Sequence, residues 1–170
     1  MCIGGEGSIM NDNSTYVTIL RDSLINKKNV LNNIIELTEK QYELVKQGDV
    51  EADVFDEIIE EKGRQLAMLN MMDDGFQSVY NRVSDQLRNN SEQYKDIIIE
   101  MQRLIDENIA LGAKIETMEH RNKELIEAFI ARKKEEIKSY HTKQGLSKSY
   151  NMNMANQHVE GTSYFMDKVK

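Results

Sequence analysis

Leu44-Val45-Lys46-Gln47-Gly48-Asp49 is the stretch that organises the residues on either side of it. Ahead of it, Val17, Leu20, Leu24, Leu31, Ile34 and Val45 recur at three-and-four spacing, and Leu37 and Leu44 widen the stripe. Such spacing marks one helix face buried against another helix. Gly48 stands where a helix needs a left-handed C-terminal residue, and Asp49 can open the next element. The stretch therefore reads as a tight turn between two antiparallel helices. The first of these is expected from about Ser14 to Gln47, with Ser14 or Thr15 as its N-cap.

After the turn the pattern resumes with Phe55, Ile58, Ile59, Leu66, Leu69 and Met72. Asp53, Asp56 and Glu57 fill the early turns, where the helix dipole favours carboxylates. Gly63 and Gly75 each cost roughly 1 kcal/mol relative to alanine inside a helix. Asp73-Asp74-Gly75 accordingly reads as a kink or a short break, followed by Phe76, Val79, Tyr80, Val83 and Leu87. Asn89-Asn90-Ser91 is a polar turn with Ser91 as a cap. The third helix is expected from about Glu92 to His141, with a stripe of Tyr94, Ile97, Ile98, Met101, Leu104, Ile105, Leu111, Ile115, Met118, Leu125 and Phe129. Asn108 and Asn122 fall in register with Met101, Ile115 and Phe129. A buried amide there sets alignment, because a slipped register leaves it unpaired; contact with a ligand is the other reading. Gly112 marks a close approach of another helix.

Composition agrees with thin helical seams. The 170 residues include no proline and no tryptophan, aromatics make up 6%, and 30% are charged. Proline would break long helices, and a thick globular core usually draws on aromatics. The expected fold is all-α: an elongated antiparallel helical bundle or coiled coil of three long helices. It divides into a leader over residues 1–13, a helical domain over 14–141 and a flexible, partner-binding tail over 142–170. The leader carries Gly4-Gly5-Glu6-Gly7, the translation of a purine-rich ribosome-binding site, which places the start at Met10 or leaves a disordered glycine-rich segment.

The function classes narrow by exclusion. A net charge of −7 disfavours nucleic acid. No apolar run approaches the roughly 20 residues of a membrane span, and no basic segment precedes an apolar one as in a signal peptide. The single Cys2 cannot close an internal disulfide, so a cytoplasmic location is expected. His120, His141 and His158 are far apart, and no HExxH or CxxC occurs. No catalytic residue, metal site or cofactor is expected, and the chain reads as a non-enzymatic protein that binds other proteins. The acidic run from Asp49 to Asp74, with only Lys62 and Arg64 against it, reads as a solvated face rather than a docking surface. Met68, Met71, Met72, Met101 and Met118 read as core or near-core. Met152, Met154 and Met166 lie in the tail, where adaptable thioethers suit a surface that accepts a partner.

Three stretches resemble the FlgN-like flagellar export chaperones: Leu44 to Asp49, then Leu104-Ile105-Asp106-Glu107-Asn108, then Ser149-Tyr150-Asn151 with the closing Phe165-Met166-Asp167-Lys168. The likeness extends over nearly everything from Met10. It implies a chaperone that binds the C-terminal segments of hook–filament junction proteins, prevents their premature assembly and delivers them to the flagellar export gate protein. It assigns gate docking to Tyr150. It assigns cargo binding, by position, to Leu125, Phe129, Ile130 and Ile137, with Met152, Met154 and Phe165 of the tail. The tail departs from the family in being rich in Asn and Met where other members can be glycine-rich. The residues themselves point the same way. Phe129, Ile130 and Ile137 continue an apolar stripe past the reach of the shorter preceding helices, and an uncovered stripe suits a partner helix. A second copy of the chain, as a homodimer, would cover it equally well. A structural coiled-coil adaptor that oligomerises without any export role is the competing class.

Overall fold

The computed structural model describes residues 6–144, with side chains from Ser14 to His141. Three α-helices make up this region: α1 (Glu6–Lys46), α2 (Ala52–Asn89) and α3 (Lys95–Gln144). Among the described residues there is no strand, and no helix is long and apolar enough to cross a membrane. The fold is all-α. Gly48 adopts φ +80°, the left-handed conformation expected of it, and its N–H donates to the Val45 carbonyl at 3.1 Å, closing α1.

Two compact units share the three helices. The first combines α1 up to Asn32 with Ala67–Gly112 of α2 and α3. Its direction can be read from side-chain pairs. Arg21 meets Glu100 and Lys28 meets Glu107, so a step of one heptad along α1 is matched by the same step along α3, and these helices run parallel. Tyr16 lies under Arg82 while Lys27 pairs with Asp73, so α2 runs antiparallel to α1. The apolar core holds Val17, Leu20, Leu24, Val83, Leu87, Met101 and Leu104, with Phe76, Val79 and Tyr80 packed at its edge. Burying each of the larger of these side chains contributes about 1.5–3 kcal/mol. The hydrogen bond from Lys28 holds the Glu107 carboxyl below the usual carboxylate range.

The second unit takes Asn33–Leu66 of α1 and α2 together with α3 from Ala113. The helix directions are again up, down and up: Gln41 reaches Lys62 and Val45 packs with Phe55, while Thr38 meets Glu119 and Val45 meets Ile126. One apolar cluster of this unit is built on Val45, Phe55, Ile126 and Ile130, and Ile34, Ile58, Leu66, Ile115 and Met118 are buried as well.

Several expectations change. α1 begins at Glu6, not at a cap on Ser14 or Thr15, and takes in residues 6–13; Met1 to Gly5 lie outside the described residues. α2 passes through Asp73-Asp74-Gly75 without a break. Leu69 and Phe76 packing on either side, with the Lys27–Asp73 ion pair at 2.6 Å, outweighs the weak helix propensity of the triplet. α3 begins at Lys95, so Ser91 does not cap it. Gly112 marks no close approach, since a Cβ built on it would meet nothing within 4 Å. Met101 and Met118 are buried, but Met68 and Met71 are exposed, at 43% and 75%. They lie off the line through Phe55, Lys62, Leu66, Leu69, Phe76 and Val83 that α2 turns inward.

Candidate interaction surface

The cargo residues inferred from the family resemblance fall at the C-terminal end of α3, in the second unit. Ile130 is buried at 6% exposure and belongs to the core with Val45 and Phe55, so it is not part of an uncovered stripe. Leu125 and Phe129 are half-buried and pack on the same cluster. The correction has a geometric cause: Val45 of α1 and Phe55 of α2, on either side of the Gly48 turn, pack with Ile130, and the Arg132 side chain reaches the turn with its Nη2 3.5 Å from the Cβ position of the glycine. Cover from α1 and α2 therefore includes Ile130. Beyond Arg132, α3 continues to Gln144, roughly three further turns or about 18 Å. That extension carries Ile137, half-buried, and Tyr140, 48% exposed with its ring 6.3 Å from that of His141. Tyr150, Met152, Met154 and Phe165 lie outside the described residues.

A layer of polar side chains crosses the middle of the same unit, with contributions from all three helices. Lys62 of α2 is fully buried and donates to Gln41 Oε1 of α1 at 2.9 Å and to Glu119 Oε1 of α3. Asn122 Nδ2 donates to the Thr38 carbonyl at 2.8 Å and to Gln41 Oε1 at 3.1 Å. Thr38 Oγ1 is within reach of both the Ile34 carbonyl and Glu119 Oε1, and its one proton serves one of them at a time. Burial pushes the Lys62 ammonium below its ordinary pKa, and the Glu119 carboxylate offsets part of that shift. These groups are enclosed and largely satisfy one another, so the layer fixes alignment; it presents no accessible acid or base. Asn108, in the first unit, plays a lesser version of this part, donating to the Leu24 carbonyl at 3.1 Å.

On the outer side of the second unit, α1 and α2 frame an open groove of about 610 Å³. Leu44, Val54 and Ile58 supply its apolar surface. Glu36, Lys40, Glu43 and Gln47, one face of α1, form one wall, and Glu57 rises from α2. Glu39, also at the groove, is held at 3.0 Å by Arg121, whose guanidinium stacks 3.6 Å from the Tyr42 ring centroid. Among the described residues, no cation pairs with Glu36, Glu43 or Glu57.

Sequence reasoning counted Lys62 among solvated charges and passed over Gln41, Thr38 and Glu119. The signal was the heptad itself. Continuing the first-helix stripe from Leu31 and Ile34 at three-and-four spacing lands on Thr38 and Gln41 before Val45, and the second-helix stripe lands on Lys62 before Leu66. No group of His, Cys, Asp and Glu among the described residues could hold a metal ion. No family model, no curated protein and no solved structure matches the chain significantly.

Proposed function

We propose that this chain is a cytoplasmic chaperone of bacterial flagellar type III export, binding hook–filament junction proteins and handing them to the export gate. The observation that carries the reading is the extension of α3 past the Gly48 turn, with Ile137 and Tyr140 on it. An amphipathic helix end of this kind offers a cargo helix an apolar strip without opening the core. The flagellar assignment itself rests on the resemblance carried by Leu44 to Asp49, by Leu104 to Asn108 and by the residues around Tyr150. In this reading the protein is a binding module without catalytic activity.

Titration calorimetry of the full chain against C-terminal fragments of hook–filament junction proteins tests it. A saturable complex is expected, weakened about tenfold or more by Ile137→Glu, a loss of the size expected when a central apolar contact is removed. Because Ile137 lies beyond the core cluster, the urea midpoint of that variant should stay where it is. No binding, together with concentration-dependent growth of oligomers in light scattering, would replace the chaperone with a structural coiled coil.

A further inference from the structure

The groove between α1 and α2 is not explained by cargo binding at the end of α3. Among the described residues, three of its four carboxylates lack the cross-helix cation that several other carboxylates hold. Glu39, Glu107 and Glu119 each hold a cation from a neighbouring helix. Glu36, Glu43 and Glu57 have no such partner among the described residues, yet they border an apolar floor that includes Val54, 38% exposed, and Leu44, half-buried. Lys40 is the one cation in the lining. An apolar floor with a rim of net negative charge complements an amphipathic helix with basic flanks.

We infer that this groove docks a basic amphipathic helix of a partner protein. The dimensions set the ligand. From Glu36 to Gln47 the α1 wall extends about 16 Å, enough for about three turns of a bound helix. Glu36 and Glu43 stand one heptad apart along this wall, so they engage two cations one heptad apart on one flank of the ligand. Glu57 engages a cation on the opposite flank. Between the flanks, apolar side chains at i, i+4 and i+7 lie over Leu44, Val54 and Ile58. The inference is independent of the flagellar reading, since it needs neither the tail nor the α3 extension.

The test uses the full chain and a fluorescein-labelled helical peptide of about three turns, with leucines on an i, i+4, i+7 face and lysines on both flanks. Fluorescence anisotropy should show saturable binding that weakens with salt. Glu43→Lys with Glu57→Lys should weaken it about tenfold or more, and Val54→Asp should do the same. Glu116→Lys with Glu124→Lys changes the net charge equally on exposed positions outside the groove, and should leave binding unchanged. Circular dichroism establishes that each variant is folded. Equal losses from the two charge-reversed pairs would reduce the effect to general attraction by an acidic protein and overturn the proposal. Absence of binding up to about millimolar peptide would also overturn it. So would displacement of the probe by a synthetic peptide of residues 145–170, which would make the chain's own C-terminal segment the occupant. A dimer abolished by Glu43→Lys with Glu57→Lys would give the groove to a second copy and would have the same consequence.

Discussion

The two units solve the same packing problem with different chemistry. The first closes its centre with Val17, Leu20, Leu24, Val83, Leu87, Met101 and Leu104. The second sets Lys62, Glu119, Gln41, Thr38 and Asn122 between buried Ile34, Leu66, Ile115 and Met118 and the apolar cluster beside the Gly48 turn. An apolar heptad seam tolerates a slip of seven residues, because one aliphatic layer resembles the next. The polar layer accepts only one alignment, since any slip leaves a buried ammonium facing aliphatic groups. Both units therefore bury an apolar seam, and the second adds a charged layer that fixes the alignment of the helices passing through it.

The largest test of that division is Lys62→Met. It leaves the Glu119 carboxylate buried with Thr38 as its remaining donor, which is expected to cost about 3–5 kcal/mol in urea unfolding. Adding Glu119→Leu should recover most of the loss, and removal of both charges can even add stability. A single substitution costing less than about 1 kcal/mol would mean that the pair is hydrated like a surface ion pair.

Leu20→Ala is the matching test of the first unit. Leu20 is fully buried at the centre of the apolar cluster, and truncation should cost about 3 kcal/mol through lost burial and the cavity left behind. No second substitution at a partner position should rescue it in the way that Glu119→Leu rescues Lys62→Met. Rescue by removing the partner charge belongs to the buried Lys62–Glu119 pair.

This contrast also explains what could be read in advance. The turn at Gly48 was legible because one residue type meets its conformational demand, and the stripes of Val17 to Ile34 and of Met101 to Met118 were legible from spacing. Asn108 and Asn122 announced themselves as lone amides among apolar heptad positions, and both donate to carbonyls of α1. Lys62 and Glu119 did not, because a charged residue in a charge-rich helix looks the same whether it faces water or a partner. Only counting the heptad through them places them inside. Helix continuity at Asp73-Asp74-Gly75 was hidden for a related reason: local propensity opposes it, and the Leu69 and Phe76 contacts that override propensity are tertiary. The overestimate of uncovered surface at Ile130 came from comparing helix lengths, when Val45 and Phe55 flanking the Gly48 turn already pack against it.

The two asparagines sharpen the comparison at smaller magnitude. Asn122 satisfies both the Thr38 carbonyl and Gln41, and it accepts from Arg121 Nε at 3.2 Å. Asn122→Leu should cost about 1–2 kcal/mol. Asn108 donates once, and its Oδ1 is buried without a partner, so Asn108→Leu should change stability by less than about 1 kcal/mol or raise it. Equal costs for the two would erase the distinction between a connected layer and a lone amide.

The smallest effect is a pH dependence confined to the second unit. The folded-state pKa of Lys62 lies below its ordinary 10.5, with burial as the main cause. Below that folded pKa the amine is charged in both states, and only the folded state bears the burial penalty. Between the folded value and 10.5 the unfolded chain binds more protons than the folded one, so stability rises with pH there. Two proteins that differ only at positions 62 and 119 share every other group. The quantity to follow is therefore the difference in urea midpoint between the unaltered chain and Lys62→Met with Glu119→Leu, measured from neutral pH to 10.5. That difference should move in favour of the unaltered chain as the ammonium is lost, whereas Leu20→Ala should subtract a constant amount at every pH. A flat difference would mean that Glu119 holds the charge on Lys62 as firmly as water does, and the layer would then align the helices without any electrostatic cost to the fold.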